Sequence, residues 1–359
     1  MAKQGNKKKI AIVGYRLAKG GLERVFSSVS HLLHDADCDV HVFVLEDDVQ
    51  YSYSGKLINL GHYSKFQKYF QLRRLLKINQ FDYVIDFRHR INPWMEMVFL
   101  QFIYANFKTI YTIHSSKLSV YLTDKAWVAR QILKKAFKIV PVSNALNKKL
   151  INDFIFDKGV VISNSLVDNA LEMEVDQITL PFKYCIAVGR LVALKQIDKL
   201  IEIYAQSDLP RNKIHLVVLG EGEEQKQLDR LILELQLTEF IHLLGFKNDA
   251  SNYIKKAEFL VLTSQYEGFS MVILESLTSG TPVISFDCES GPREMIVNEV
   301  NGLLVDDQNF DELKTAMNRM ILDQTMYDFC KSNAKNSVMQ FSSKNIQKKW
   351  LDLLQINSN

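Results

Sequence analysis

The chain has 359 residues, 47% of them hydrophobic and 24% charged, with a net charge of +3; this is the composition of a soluble globular protein long enough for two hydrophobic cores. Its four cysteines (Cys38, Cys185, Cys288, Cys330) lie far apart with no C-x-x-C pair, which argues against a disulfide framework or zinc site and fits a reducing cytosol. The net charge hides an asymmetry: residues 1–165 hold 25 Lys+Arg against 13 Asp+Glu, whereas residues 166–359 hold 19 against 28, so the first half is expected to face something anionic.

The first residues are basic (Lys3, Lys7, Lys8, Lys9) but have no apolar signal core, so no secretory signal is expected. Lys9 to Val13 reads as a buried strand. It runs through the turn Gly14–Gly21 into a helix over about 22–33, the arrangement of a phosphate cradle. The spacing is not G-x-G-x-x-G and no acidic ribose hook follows, which disfavours a dinucleotide fold. Asp35, Asp37 and Asp39 have the spacing of a metal-binding acid pair. They follow the first helix in an expected surface turn, and no histidine cluster completes a site, so no metal is expected.

Further strands are expected near Val40–Leu45, Tyr83–Asp86, Thr109–Ile113 and Lys138–Val142; with helices between them they read as a doubly wound parallel sheet. Arg88, His89 and Arg90 follow one strand end, placed to hold an anionic acceptor, and His114 follows the next. Helices over about 63–77 and around Trp127 to Lys138 mix Lys and Arg with aromatics, as helices lying on anionic lipid do. Taken with the basic half, they favour contact with a membrane surface over a merely solvated face. A nucleic-acid role lacks the aromatic–basic strand pattern of a base-stacking sheet. The longest apolar run, Met97–Phe107, is much shorter than the roughly 20 residues needed to cross a bilayer. Val160–Ser165 is expected to close the first sheet, and the polar stretch Asp168 to Pro181 reads as a linker.

A second sheet starts at Tyr184–Val188 and runs into Gly189-Arg-Leu-Val-Ala-Leu-Lys195, with a helix from near Gln196. Ile214–Leu219 leads to a glycine turn at Gly220 and Gly222, and Phe240–Phe246 follows. Phe259–Thr263 then breaks at Gly268 and restarts as a helix at about Met271, with Ser270 placed as N-cap. Such a helix start at a strand's carboxyl end is where open α/β sheets bind anionic ligands. Glu267 and Glu275 frame it, and Gly280 and Pro282 stop the helix. Ser290 to Ile296 and Asn301 to Val305 follow, and the last helix is expected over about 342–354.

The run E-G-F-S-x-V-x-L-E-S from Glu267 to Ser276, followed by G-x-P-V-I from Gly280 to Ile284, resembles the signature of the retaining GT-B glycosyltransferases of family 4 (glycosyl transferases group 1). The G-P-R-E-x-I form from Gly291 to Ile296 is similar to bacterial surface-polysaccharide members. The likeness is close over the second half and holds only by order of motifs in the first. It implies an α/β GT-B fold: two Rossmann-like doubly wound parallel-sheet domains facing a central cleft, with the C-terminal helix crossing back. The domains would be an acceptor-binding 1–167, a nucleotide-sugar-binding 168–341, and a helix 342–359 packing on the first.

Residue by residue, the resemblance places Glu267 by the donor sugar hydroxyls, Glu275 on the ribose, and the backbone of Phe269, Ser270, Met271 and Val272 on sugar and phosphate. The family's G-R-L-x-x-x-K falls on Arg190 and Lys195, which would bind the diphosphate. Negative charge builds on a departing nucleoside diphosphate, and fixed cations stabilise it without reorganisation; Arg forks two oxygens and Lys acts as a point charge. Gly20 and Gly21 match the family's N-terminal glycine loop, His114 its histidine near the sugar or acceptor, and Phe246 a neighbour of the base.

The catalytic set is then Glu267, His114, Arg190 and Lys195, with Glu267 an orienting group rather than a nucleophile. Arg88 and Arg90 are the acceptor candidates. The expected activity moves a hexosyl or N-acetylhexosaminyl group, with retention, from a nucleotide diphosphate sugar expected to be UDP-linked. The acceptor is a hydroxyl of a glycan or lipid-linked molecule in surface polysaccharide or lipopolysaccharide synthesis. No cofactor or metal is expected, and the place is the cytoplasm, at the inner face of its membrane. The rival readings are a non-catalytic nucleotide- or lipid-binding partner with the same fold, and a sugar-nucleotide epimerase.

Overall fold

The computed structural model describes residues 7–18, 20–165, 180–247 and 249–356. The chain divides into two compact units, Met1–Val167 with Phe341–Asn359, and Asp168–Gln340. The expected linker, up to residue 179, lies outside the described residues apart from its end.

The first unit holds the strands β1 (Lys9–Gly14), β2 (Asp39–Val44), β3 (Lys56–Asn59), β4 (Tyr83–Asp86), β5 (Thr109–Ile113) and β6 (Lys138–Pro141). All neighbours pair parallel, in the order β3-β2-β1-β4-β5-β6. The central strands are near-continuous runs of Ile, Val and Ala because helices cover both faces of the sheet. Those helices are α1 (Gly21–Asp35), α2 (Lys65–Asn79), α3 (Pro93–Val98, continued by a π-helical turn Phe99–Ile103), α4 (Ser119–Leu122), α5 (Ala126–Lys135) and α6 (Asn144–Phe154).

Sequence reading missed β3, a short edge strand of partly exposed residues whose KLIN sequence has no sustained alternation. Val160–Ser165 forms no strand. It runs beside β6 with a single bridge between Ile139 and Gly159 and the bonds Val160 N–H to Ile139 O and Ile162 N–H to Pro141 O.

The second unit holds β7 (Lys183–Val188), β8 (Ile214–Leu219), β9 (Ile241–Leu243), β10 (Leu260–Leu262), β11 (Val283–Phe286) and β12 (Gly302–Val305). They are parallel, in the order β12-β11-β10-β7-β8-β9. Its helices are α7 (Ile197–Gln206), α8 (Gln225–Glu234), α9 (Ala250–Lys256), α10 (Met271–Thr278), α11 (Pro292–Met295), α12 (Phe310–Leu322) and α13 (Gln324–Ser337). The last helix, α14 (Ser343–Leu353), belongs to the first unit. There it buries Ile346 and Trp350, and the Gln347 side-chain amide donates to Leu32 O at 2.8 Å.

Counted from its own first strand, each sheet has the same Rossmann order, 3-2-1-4-5-6. Each therefore has one topological switch point, between β1 and β4 and between β7 and β10. Ligands of open α/β sheets bind outside the carboxyl ends of the strands there. No described helix is long and apolar enough to cross a membrane.

Candidate active site

In the second unit, four loops after strand ends are locked together around the switch point. The β7 loop leaves through Gly189 and forms a 3-10 turn at Ala193–Lys195 before α7. The β8 loop passes so close behind it that a Cβ on Gly220 would lie 1.8 Å from Gly189 O, and one on Gly222 would lie 2.0 Å from Leu191 O. Gly220 also has φ +141, so both packing and backbone demand glycine. The bonds Leu191 N–H to Glu221 O (2.9 Å) and Glu224 N–H to Leu191 O (3.2 Å) join the two loops. From the other side, Thr263 Oγ1 donates to Lys195 O (2.7 Å), and Gln265 N–H donates to Leu194 O (3.0 Å).

Inside this frame the Lys195 ammonium meets Glu267 Oε1 at 2.5 Å, with the two side chains 19% and 11% exposed. The pair spans the loops after β7 and β10, the two strands that flank the switch point. Glu267 is gripped again through its backbone, where Ser290 Oγ donates to Glu267 O at 2.5 Å. Gly291, at φ +97, lets that loop approach Phe269 O, to which an added Cβ would stand at 3.0 Å. In the sequence the only visible signal of the Ser290–Gly291 segment's role is its sharp G-P turn.

Ser270 is not the expected N-cap of α10. It has left-handed φ and ψ of 65° and 82° and makes no side-chain cap bond. Capping needs an extended backbone, which aims the hydroxyl at the second or third helical N–H. Instead the Ser270 hydroxyl is buried without a partner, as are Ser264 Oγ and Gln196 Oε1 from the neighbouring loops. The first-turn N–H groups of α10, from Met271 and Val272 onward, are left without a side-chain cap, the condition for binding an anion there. Phe269 and, one turn into the helix, Glu275 are buried.

Arg190 is exposed and makes no ion pair among the described residues. Phe246, half exposed, follows the end of β9. Both stand at carboxyl ends of strands, but no contact ties either to the Lys195–Glu267 pair.

In the first unit, Gly20 is the extended residue before α1, and the Glu23 carboxylate folds back over it. Gly21 opens α1 with open space at its Cα. Beside them, at the carboxyl end of β1, a pocket of about 170 Å³ is lined by Gly14, Tyr15, Arg16, Glu23, Glu46 and His89 among others. Sequence reading named the glycines but not Glu46 or Tyr15, which arrive from the ends of β2 and β1 and form no local motif.

His114 stacks on Phe87 with centroids 5.5 Å apart, and both ring nitrogens are buried without a partner. Burial, then Arg90 and His89, push its pKa down to about 3, so the ring is neutral. It can exchange hydrogen bonds with a hydroxyl but holds no proton to give near neutral pH.

Arg88 and Arg90 are not acceptor ligands. Both are 0% exposed. The Arg88 guanidinium is held by Asp86 (2.8 Å) and Glu96 (3.0 Å) and lies 3.3 Å from the Phe99 ring centroid. Arg90 donates to the carbonyls of Tyr121 (2.6 Å), Arg88 (3.0 Å) and Thr112 (2.7 Å). Buried guanidinium groups must be paired, and here each makes four hydrogen bonds within the protein. Of that tripeptide, only His89 lines the pocket.

The family model "Glycosyl transferases group 1" matches residues 170–337, and "Glycosyltransferase Family 4" matches residues 19–167. The N-acetylgalactosamine-N,N'-diacetylbacillosaminyl-diphospho-undecaprenol 4-alpha-N-acetylgalactosaminyltransferase of Campylobacter jejuni is 28% identical over 96% of this chain and 99% of its own length. Anabaena HepE, solved with UDP-glucose, superposes with a TM-score of 0.78 at 19% identity, covering 97% of this chain and 99% of that one. Staphylococcus aureus TarM, solved with UDP and alpha-GlcNAc-glycerol, superposes with a TM-score of 0.76 at 15% identity over 97% and 99%.

Proposed function

Because the chain belongs to the GT-B glycosyltransferases, matched by group 1 in one unit and family 4 in the other, we propose that its second unit binds a UDP-sugar and that the enzyme transfers the sugar with retention. The sugar is a hexosyl or N-acetylhexosaminyl group, and the acceptor is a hydroxyl of a glycan or lipid-linked molecule in surface-glycan synthesis. UDP in the HepE and TarM structures and the diphospho-undecaprenol named for the Campylobacter relative support this choice of donor and acceptor.

The observation that carries the reading is the Lys195–Glu267 pair across the switch point, beside the uncapped start of α10. A diphosphate arriving there meets the first N–H groups of α10, the Lys195 ammonium and the exposed Arg190. These donors carry the charge that develops as the sugar–phosphate bond breaks, without reorganising. Lys195 then exchanges part of its bond to Glu267 for phosphate oxygens. That frees the Glu267 carboxylate to accept from sugar hydroxyls and orient the ring. In this reading Glu275, one turn further, meets the ribose, and Phe246 meets the base. Because the leaving charge is met by side chains and backbone, no metal or other cofactor takes part. The leaving phosphate itself serves as base for the incoming hydroxyl on the same face.

A donor panel scored by release of nucleoside diphosphate tests the whole reading. UDP-sugars should be consumed in the presence of an acceptor at equal rates with and without EDTA, giving product of retained anomeric configuration. Abolition by EDTA, or UDP binding without turnover with any donor and acceptor, would overturn it.

A further inference from the structure

In the first unit, three helices present exposed stripes that join into one surface. On α2, Phe66, Phe70, Arg74 and Ile78 follow at four-residue steps, with Phe66 82% exposed, while Leu72 and Leu76 face the core. Along α3 and its π-helical turn, Trp94, Val98 and Phe102 repeat the same step, with Trp94 73% exposed. On α5, Trp127 leads into Arg130 and Lys134 on the outer face, opposite the buried Val128 and Ile132.

Two contacts bind the stripes together. The Arg73 guanidinium lies 3.7 Å from the Phe102 ring centroid, and the Trp94 and Trp127 rings meet edge to face at 6.2 Å. Exposed aromatic area of this extent is rare on a surface meant only for water.

The charge that these three helices expose has one sign. α2 and α5 contain no Asp or Glu, and α3 with its π turn contains only Glu96, which is buried against Arg88. Arg74, Lys77, Arg130, Lys134 and Lys135 are exposed. A protein partner's rim is usually met by polar residues of both signs. Aromatic tips among uniformly cationic side chains match instead the headgroup level of an anionic bilayer.

We propose that this face, formed by α2, α3 and α5, docks the protein on anionic lipid, with Phe66, Phe70 and Trp94 entering the headgroup layer and the Arg and Lys side chains pairing with lipid phosphates. The proposal goes beyond the transferase reading and does not depend on it.

Flotation of the full chain with phosphatidylcholine vesicles, with and without phosphatidylglycerol, tests it. Binding is expected to be at least about tenfold tighter with phosphatidylglycerol and to weaken as salt is raised. Arg74→Glu with Lys77→Glu should lower that binding on the order of a hundredfold. Phe66→Ser with Trp94→Ser should release the protein even at low salt. In each variant, thermal unfolding and UDP release with a water-soluble acceptor should match the unsubstituted protein, because these side chains touch neither core nor site. Equal binding to both vesicle types, unchanged binding by the variants, or capture only by an acidic protein would overturn the proposal.

Discussion

Arginines stand just beyond a strand end in both units, and they have opposite fates. Arg88 and Arg90 follow β4 and are sealed in the core of the first unit. Arg190 follows β7 and reaches solvent unpaired among the described residues. β4 is strand 4 of its sheet and β7 strand 1 of its own, but each flanks its sheet's switch point, so standing at such a strand end does not by itself decide the outcome. Carboxylates do. Asp86 lies two residues before Arg88, and Glu96 arrives from α3, so the arginine neutralises two acids that would otherwise be buried alone. Arg190 sits in a loop, Gly189 to Lys195, that holds no carboxylate of its own, and Gly220 and Gly222 bring backbone close to it. A cation at a strand end is therefore evidence for a ligand only when the fold has not sealed it from solvent, as Arg88 and Arg90 are sealed; Lys195, though paired with Glu267, keeps 19% of its side chain exposed.

The widest contrast should come from removing each arginine. Arg88→Ala leaves Asp86 and Glu96 buried and unpaired, and is expected to cost about 3–5 kcal/mol of stability, read as a fall in Tm. Arg190→Ala should leave Tm alone. If Arg88→Ala melts like the parent, or Arg190→Ala melts early, the comparison fails.

Activity should show the reverse pattern. Arg190→Ala and Lys195→Ala are each expected to lower kcat by about 10²–10³, equivalent to about 2.7–4 kcal/mol, measured as UDP release. Lys195→Arg should recover part of the loss if charge, rather than packing against Gly189, is what matters.

His114 sharpens the contrast in the first unit through pH. Its pKa is lowered from an ordinary 6.5 to about 3, so the unfolded chain binds a proton there more readily than the folded one. Its stabilising contribution is whole above pH 6.5 and is lost as pH falls towards 3, by up to about 1.4 kcal/mol per unit. Denaturant titrations from pH 7 to 4 should show a flatter slope for His114→Phe than for the parent.

The smallest effect compares two serines before helices. Ser143 caps α6, its hydroxyl accepting from Leu146 N–H at 3.2 Å, so Ser143→Ala should cost about 1 kcal/mol. Ser270 caps nothing, and Ser270→Ala should change stability by less than about 0.5 kcal/mol. An equal loss in both would restore Ser270 as a cap.

Much of this was legible beforehand. Continuous apolar runs such as β1 and β10 announced parallel strands, and the glycine turns after β7 and β8 announced close backbone approach, because both patterns are local. Gly189 to Lys195 and Glu267 to Glu275 stood out as candidates for the same reason. Glu46 and Tyr15 did not, since each reaches its pocket from a different strand end.

By itself the sequence determined the class of fold, the parallel sheets and the residues worth weighing, because hydrophobic period and turn chemistry act over a few neighbours. Only the tertiary structure decided which cations remain available. It buried Arg88 and Arg90 against Asp86, Glu96 and distant carbonyls, turned Ser270 away from its helix, and set Lys195 against Glu267 across 72 residues of chain. Pairing and desolvation depend on neighbours that the fold supplies, and no spacing along the chain encodes them.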